Sequence, residues 1–331
     1  MKTPRLLWLG LVALAVAAPR GAAACSVCLA GDPSFSANGT QSQAAGSVSA
    51  YLEVRGWEKE SGRRPNDHEQ VEEGAPAAES DDEQSLEKHQ SRRADLYVAW
   101  TPLDRVTLTL DVPWTANDIT EIGADDRTHS ELAGFGDVSV AASGIVWRNR
   151  PALPSTWIEL RGWLKTPTGR DEQRVDGEQE PHIQTGTGSW DFGFGAAGVH
   201  RFEWGSLYAS AFQRFNTEGG LHYEYGDVTL ATLAVEAPLG HITGRHTLDR
   251  FTPGLALDFR YAARDHQNGS GVEDTGGSVP YLTPSLRIAL PAFGESRAWL
   301  RTGVQIPLTD AWLYGRQDEG TVWSVGVGYS F

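Results

Sequence analysis

Two cysteines three positions apart are the most reactive pair in the chain. Cys25 and Cys28 lie in CSVCLAGDPSF, residues 25–35. A CxxC can close a disulfide, exchange thiols or supply half a metal site. No His follows for haem attachment, and no second CxxC completes a zinc set. A local disulfide, a lipid-attached end, transient metal binding and a redox contact all stay open. The histidines come next. His68, His89, His129, His182, His222 and His266 fall in or beside polar, carboxylate-rich stretches. Imidazole with carboxylate can ligate transition metals, but none of the six has tight ligand spacing, so solvated loop histidines are expected. His266 and Ser270 in DHQNGSG, residues 265–271, would act together only on one continued strand, which Gly269 and Gly271 oppose. The third group is the largest. Glu53, Arg55, Asp95, Asp111, Glu159, Arg161, Asp258, Arg260, Arg287 and Arg301 sit on the polar side of alternating segments. Mixed charges on the wall of a pore set a field across it and bias what permeates. The same charges can instead pair and fill a narrow lumen.

Period-two segments position these charges. In RVTLTLDVPW, Val106, Leu108, Leu110, Val112 and Trp114 share one face, and Thr107, Thr109 and Asp111 share the other. Such alternation is the signature of strands. Twelve strands are expected, near 46–58, 91–102, 105–116, 135–148, 155–166, 187–203, 205–216, 223–238, 252–264, 279–290, 296–308 and 320–331. In the seventh and eighth the faces are not distinguishable. Short turns are expected at 103–104, 149–154, 204 and 291–295, with a longer one at 239–251. Between them lie the long polar connections 59–90, 117–134, 167–186, 217–222, 265–278 and 309–319. Residues 67–83 hold eight Asp/Glu and no Lys or Arg, which predicts a mobile loop.

The front end reads as a secretory signal. Lys2 and Arg5 precede an apolar stretch from Leu6 to Ala18, and Ala22 to Ala24 supply small residues for cleavage. The expected organisation is a signal peptide at 1–24, a periplasmic segment with the CxxC at 25–45 and a barrel at 46–331. A net charge of −15 argues against a nucleic-acid partner. No later segment approaches the ~18 consecutive apolar residues of a membrane helix. Tryptophans gather at strand ends: Trp100, Trp147, Trp157 and Trp204 by short turns, and Trp57, Trp114, Trp163, Trp190 and Trp323 by long loops. Two aromatic girdles, alternating short and long connections and an even strand count fit a membrane barrel better than a soluble sandwich. Trp57, Trp157 and Trp163 fall on the polar side of the alternation. The expected fold is all-β, a transmembrane antiparallel up-and-down β-barrel of about twelve strands with a cleaved signal peptide. Its expected location is the outer membrane of a Gram-negative-type bacterium.

The last strand, GTVWSVGVGYSF, resembles the C-terminal recognition signal of bacterial outer-membrane barrels, with Tyr329 and Phe331 as its aromatic marks. This strand is expected to close against the first, with Ser324, Gly326, Gly328 and Ser330 leaving room in the lumen. ELAGFGDVSVAA, residues 131–142, resembles the strand entry of a family of outer-membrane transporter-like barrels linked to the phenol meta-cleavage pathway. Gly134, Gly136 and Asp137 match that motif. The resemblance implies a channel for passage or uptake of small molecules, aromatic or hydrophobic ones among them. It implies outer-membrane lipid, the barrel-assembly machinery and a small-molecule solute as partners, with no cofactor and no catalysis. Two alternatives stand beside it. An N-terminal CxxC on a barrel is similar to the porin subunits of porin–cytochrome conduits, which implies a periplasmic redox or metal-handling partner. Twelve-stranded outer-membrane phospholipases imply an enzyme. The substrate, the openness of the lumen, the oligomeric state and the role of the cysteines are left open.

Overall fold

The computed structural model describes residues 45–62, 86–122, 127–151, 153–174, 180–291, 296–315 and 317–331. The signal segment, Cys25, Cys28 and His68 lie outside the described residues. No helix among the described residues is long and apolar enough to cross a membrane. Crossing falls to strands: β1 (Val48–Gly62), β2 (Leu86–Leu103), β3 (Val106–Ile122), β4 (in two pieces, Arg127–Phe135 and Ser139–Arg148), β5 (Thr156–Lys165), β6 (Asp191–Phe202), β7 (Gly205–Phe215), β8 (Val228–Glu236), β9 (Phe251–Ala262), β10 (Gly277–Leu290), β11 (Arg297–Pro307) and β12 (Val322–Ser330). Each pairs antiparallel with its sequence neighbours, and β1 pairs with both β2 and β12. The sheet is a closed twelve-strand barrel without a free edge.

The faces are inverted relative to a soluble protein. Leu52, Leu96, Leu160, Phe194 and Leu257 are exposed on the outside, whereas Glu53, Arg55, Asp95, Glu159, Arg161 and Arg260 are buried inside. An apolar exterior around a charged interior is stable only where lipid is the outer solvent. Trp100, Trp147 and Trp204 at one end, and Trp114, Trp190 and Trp323 at the other, are exposed on this wall. The chain is an outer-membrane β-barrel.

Three expectations need correction. Residues 117–134, read as a loop, are mostly strand, because Trp114–Ile122 pairs with Arg127–Phe135 as a tall hairpin. The β1–β2 pair likewise runs up to Gly62↔Leu86. These extensions carry polar residues on both faces, the outer one in water above the lipid and the inner one, with Lys59, His89 and Asn117, buried in the lumen, and so lack the alternation that marks a half-apolar strand. The connection expected as an external loop at 167–186 is external only in part: its residues 181–186 turn inward, as described below. Finally, the inner face of β12 does not leave open space. The Tyr51 ring lies on Gly326 and the Trp299 ring on Gly328, so closely that an added Cβ would meet them at 2.4 and 2.2 Å. These two rings stack on each other at 6.4 Å, and Tyr51 stacks on Tyr97 at 6.2 Å. The turn expected at 239–251 holds a single helical turn, α1 (Leu239–Thr243), stopped by Gly244 at φ 73°.

Replacing Gly326 by Leu forces bulk into the Tyr51 ring. The expected loss is about 1–3 kcal/mol from overpacking. It is read as a lower midpoint for the heat-induced mobility shift of the folded barrel on gels. Gly162→Ala on the outer face, where a Cβ has no atom within 4 Å, leaves that midpoint unchanged.

Candidate functional site

The inner wall is divided. On β1–β3 a ladder of charges is locked in pairs. Asp95 accepts from Arg55 at 2.6 Å and Arg93 at 2.5 Å. Arg55 also lies 3.5 Å from Glu53, and Arg93 lies 3.5 Å from Asp111. Breaking one such buried pair strands a charge at roughly 3–5 kcal/mol. On β5, Arg161 pairs with Glu159 at 3.5 Å. Higher up, Arg260 grips Glu319 with two bonds of 2.8 and 2.5 Å. Asp258 accepts instead from Thr232 and Thr283. Nearer the short-turn end, Glu236 is shared by Arg287 at 3.3 Å and Arg301 at 3.8 Å. About a third of the way round the ring from the charge ladder, β5–β7 present an apolar patch of Trp157, Ala197, Val199 and Tyr208.

Gly134, Gly136 and Asp137 fall at the interruption of β4. Gly136 lets a second segment approach: a Cβ there would lie 2.8 Å from the Thr185 carbonyl. The break frees Asp137 from the strand ladder. Its Oδ1 accepts from the Thr168 and Gly169 amides at 3.1 and 2.8 Å. Its Oδ2 accepts from the Thr187 amide and hydroxyl at 2.8 and 2.9 Å. Lys165 Nζ bridges Asp137 and Asp191 at 3.2 and 2.6 Å. One carboxylate thus holds backbone on both sides of this connection, at Thr168–Gly169 and at Thr187, and keeps residues 181–187 in the barrel. Inside, Ile183 is buried, and Asn117 donates to the Ile183 and Gln184 carbonyls at 3.1 and 3.0 Å.

The same segment is tied to two other loops. His182 Nδ1 stands 2.8 Å from Glu180, and its Nε2 lies 2.9 Å from the Tyr223 hydroxyl. Tyr223 in turn donates to Asp265 at 2.8 Å. Tyr225 donates to the Pro181 carbonyl at 3.1 Å. Below this latch lies a cavity of about 80 Å³, bounded among others by Arg93, Asp111, Lys165, Arg214, Trp163 and Tyr225. It has room for a few waters.

The remaining histidines scatter. His89 is on β2 and buried inside the barrel, a correction to its reading as a loop residue. His182 is buried in the inward segment and is likewise no solvated loop residue. His129 is exposed, 3.4 Å from Asp118, and His222 pairs with Glu218 at 2.8 Å. His266 and Ser270 lie in a small external sheet, paired as His266↔Gly271 and Gln267↔Ser270, with Asn268 and Gly269 at the turn between them. They share no strand. Among the described residues no group of three or more His, Cys, Asp or Glu is placed to hold a metal. Tyr329 and Phe331 face outward, edge to face at 4.9 Å.

Sequence reasoning put Lys165 on the polar face without singling it out, and missed Arg93, Asp191, Glu236 and Glu319. Stepping back by two from Asp95 reaches Arg93, so alternation carried that one. Glu319 sits beyond the expected end of a strand, beside the short extension Gln317–Glu319 that pairs with β1, and no pattern marks it.

No protein-family model matches the chain, and no curated protein matches it. Among solved structures, an outer-membrane channel from Pseudomonas putida F1 aligns with a TM-score of 0.56 at 12% identity, over 87% of this chain and 97% of that one. A Pseudomonas aeruginosa FadL homologue reaches 0.40 at 9% identity, over 86% and 90%. The translocator domain of the autotransporter NalP from Neisseria meningitidis reaches 0.41 at 12%, over 89% and 91%. At these identities the likeness is one of fold, and the first alignment alone is close enough to support it.

The Glu180–His182 latch sets a pH dependence. Burial opposes charge on His182, but the hydrogen bond to Glu180 and the nearby charges of Glu87 and Glu180 outweigh it and raise its pKa above 6.5, against an opposing push from Lys59. Burial likewise opposes ionisation of Glu180, and its bond to His182 outweighs that and lowers its pKa below 4.5. The histidine term is therefore complete below pH 6.5 and fades as pH rises through the raised value. The glutamate term is complete above pH 4.5 and fades as pH falls through the lowered one. Amide-exchange protection of residues 181–187 is expected to be greatest between those two values and to fall at alkaline pH. His182→Gln should flatten the alkaline limb.

Proposed function

We propose that the protein is an outer-membrane channel that passes small solutes through its charged lumen. One observation carries this reading. The lumen is occupied by a segment held through reversible hydrogen bonds at Asp137 and His182, above a polar cavity, and not by a packed apolar core. A plug meant to stay would bury apolar surface, as cores do. A segment held by polar clasps can constrict or yield. The apolar patch around Trp157 and Tyr208 favours solutes with an aromatic or hydrophobic part, in line with the resemblance to barrels linked to phenol degradation. The Pseudomonas putida structure is itself described as a channel. In this reading Tyr329 and Phe331 serve assembly, and the lumen pairs set selectivity without catalysing a reaction.

Purified protein in planar bilayers is expected to show discrete conductance steps. Asp137→Ala removes four hydrogen bonds and one ion pair from the inward segment, and mean conductance is expected to rise about two-fold or more, since the clasp is worth several kcal/mol. Silent bilayers for both proteins, with barrels shown to be folded, would sink the proposal.

A further inference from the structure

At the short-turn end, the periplasmic one in this reading, the lumen changes character. The arginines on its inner face include Arg201 from β6, Arg287 from β10, and Arg297 and Arg301 from β11. Glu236, on the same rung as Arg201 through Ser206, is shared by Arg287 and Arg301. Neither Arg201 nor Arg297 has a carboxylate within 4 Å among the described residues. Although Arg201 stands across the mouth from β10 and β11, the charges of Arg287 and Arg297 act on it. The mouth is therefore in cationic excess, in a chain whose net charge is −15.

Its donors are also in excess. Arg287 Nε, Arg301 Nη1, Trp157 Nε1 and Trp299 Nε1 are buried and lack a hydrogen-bond acceptor among the described residues. A carboxylate brings two oxygens with about four acceptor sites and no donor. Beside these donors lies the apolar patch of Trp157, Val199 and Tyr208, with the Arg201 guanidinium over the Trp157 ring at 4.7 Å. An inorganic anion would satisfy the arginines and leave this patch unused. A neutral ring would do the reverse.

We propose that the periplasmic mouth is a binding site for small monocarboxylates with an aromatic or apolar body, the carboxylate held by Arg201, Arg287, Arg297 and Arg301 and the body lying against Trp157, Val199 and Tyr208. This rests on the channel reading, as the site lies on the only route that reading gives a solute into the periplasm. Arg201 and Arg301 then add a second selection at the exit, after that of the pairs deeper in the lumen.

The test uses the full-length protein in detergent, titrated calorimetrically with benzoate, acetate, benzyl alcohol and inorganic phosphate. Benzoate is expected to bind more tightly than the other three. Arg201→Gln and Arg301→Gln are each expected to weaken benzoate about tenfold or more, the loss of one charge-assisted bond pair. Trp157→Leu should weaken benzoate and leave phosphate alone. Arg127→Gln, paired with Ile122 at the opposite end of the barrel, should change nothing. Benzoate binding no tighter than acetate and phosphate, or unaltered in both arginine variants, overturns the site. Bilayer recordings separate the two proposals. A conducting barrel that ignores benzoate defeats this inference and spares the channel. A benzoate-binding barrel that never conducts defeats the channel.

Discussion

Hydrocarbon offers no partner to a peptide group. Every backbone donor and acceptor inside the bilayer must be paired by the chain itself, and this barrel meets that demand by closing β12 onto β1. The rest follows from closure. Once the ring is shut, alternate side chains are divided between lipid and lumen, and the exterior must be apolar over the height of the membrane. The interior is then free to carry charge, but only if each charge finds an opposite one or water. The pairs from Arg55 to Asp111, and Arg260 with Glu319, meet that second demand.

A ring of twelve strands leaves a lumen that wall side chains do not fill alone. The chain completes it with its own loop. Asp137 is the hinge of this arrangement, because a broken strand lets one carboxylate face two stretches of backbone at once. The latch at His182 joins three loops across the same space. The interior thus has two materials: rigid charge pairs on the wall, and a polar bridge across it.

Alternation made the barrel legible in the sequence, because lipid on one side and water on the other imprint a period of two. It also placed ten charges on the inner face, of which Glu53, Arg55, Asp95, Glu159, Arg161 and Arg260 are buried there. It failed where neither face meets lipid. Arg127–Phe135 has one face in water and the other against the inward segment, so its alternating exposure is not matched by alternating apolar residues. It failed also on β7, where Tyr208 and Phe212 point inward and erase the contrast. The inward segment was illegible for another reason. Its position depends on hydrogen bonds from Asp137, Asn117 and Tyr225, which come from elsewhere in the chain and leave no local periodicity. The Gly-Phe-Gly-Asp motif was visible, and its partners were not.

The two glycines beneath Tyr51 and Trp299 act as a gauge for the closing seam. Hydrogen bonds alone would accept β12 shifted by two residues, since the pleat and the lipid-facing set would survive such a slip. The rings would not. A shift in either direction brings Ser324 or Ser330 under one of them, and its Cβ has no room where Gly326 or Gly328 now lies. The final strand is therefore measured against its neighbours on both sides, β11 and β1, before the ring can shut. Fidelity of assembly is written into two missing methyl groups.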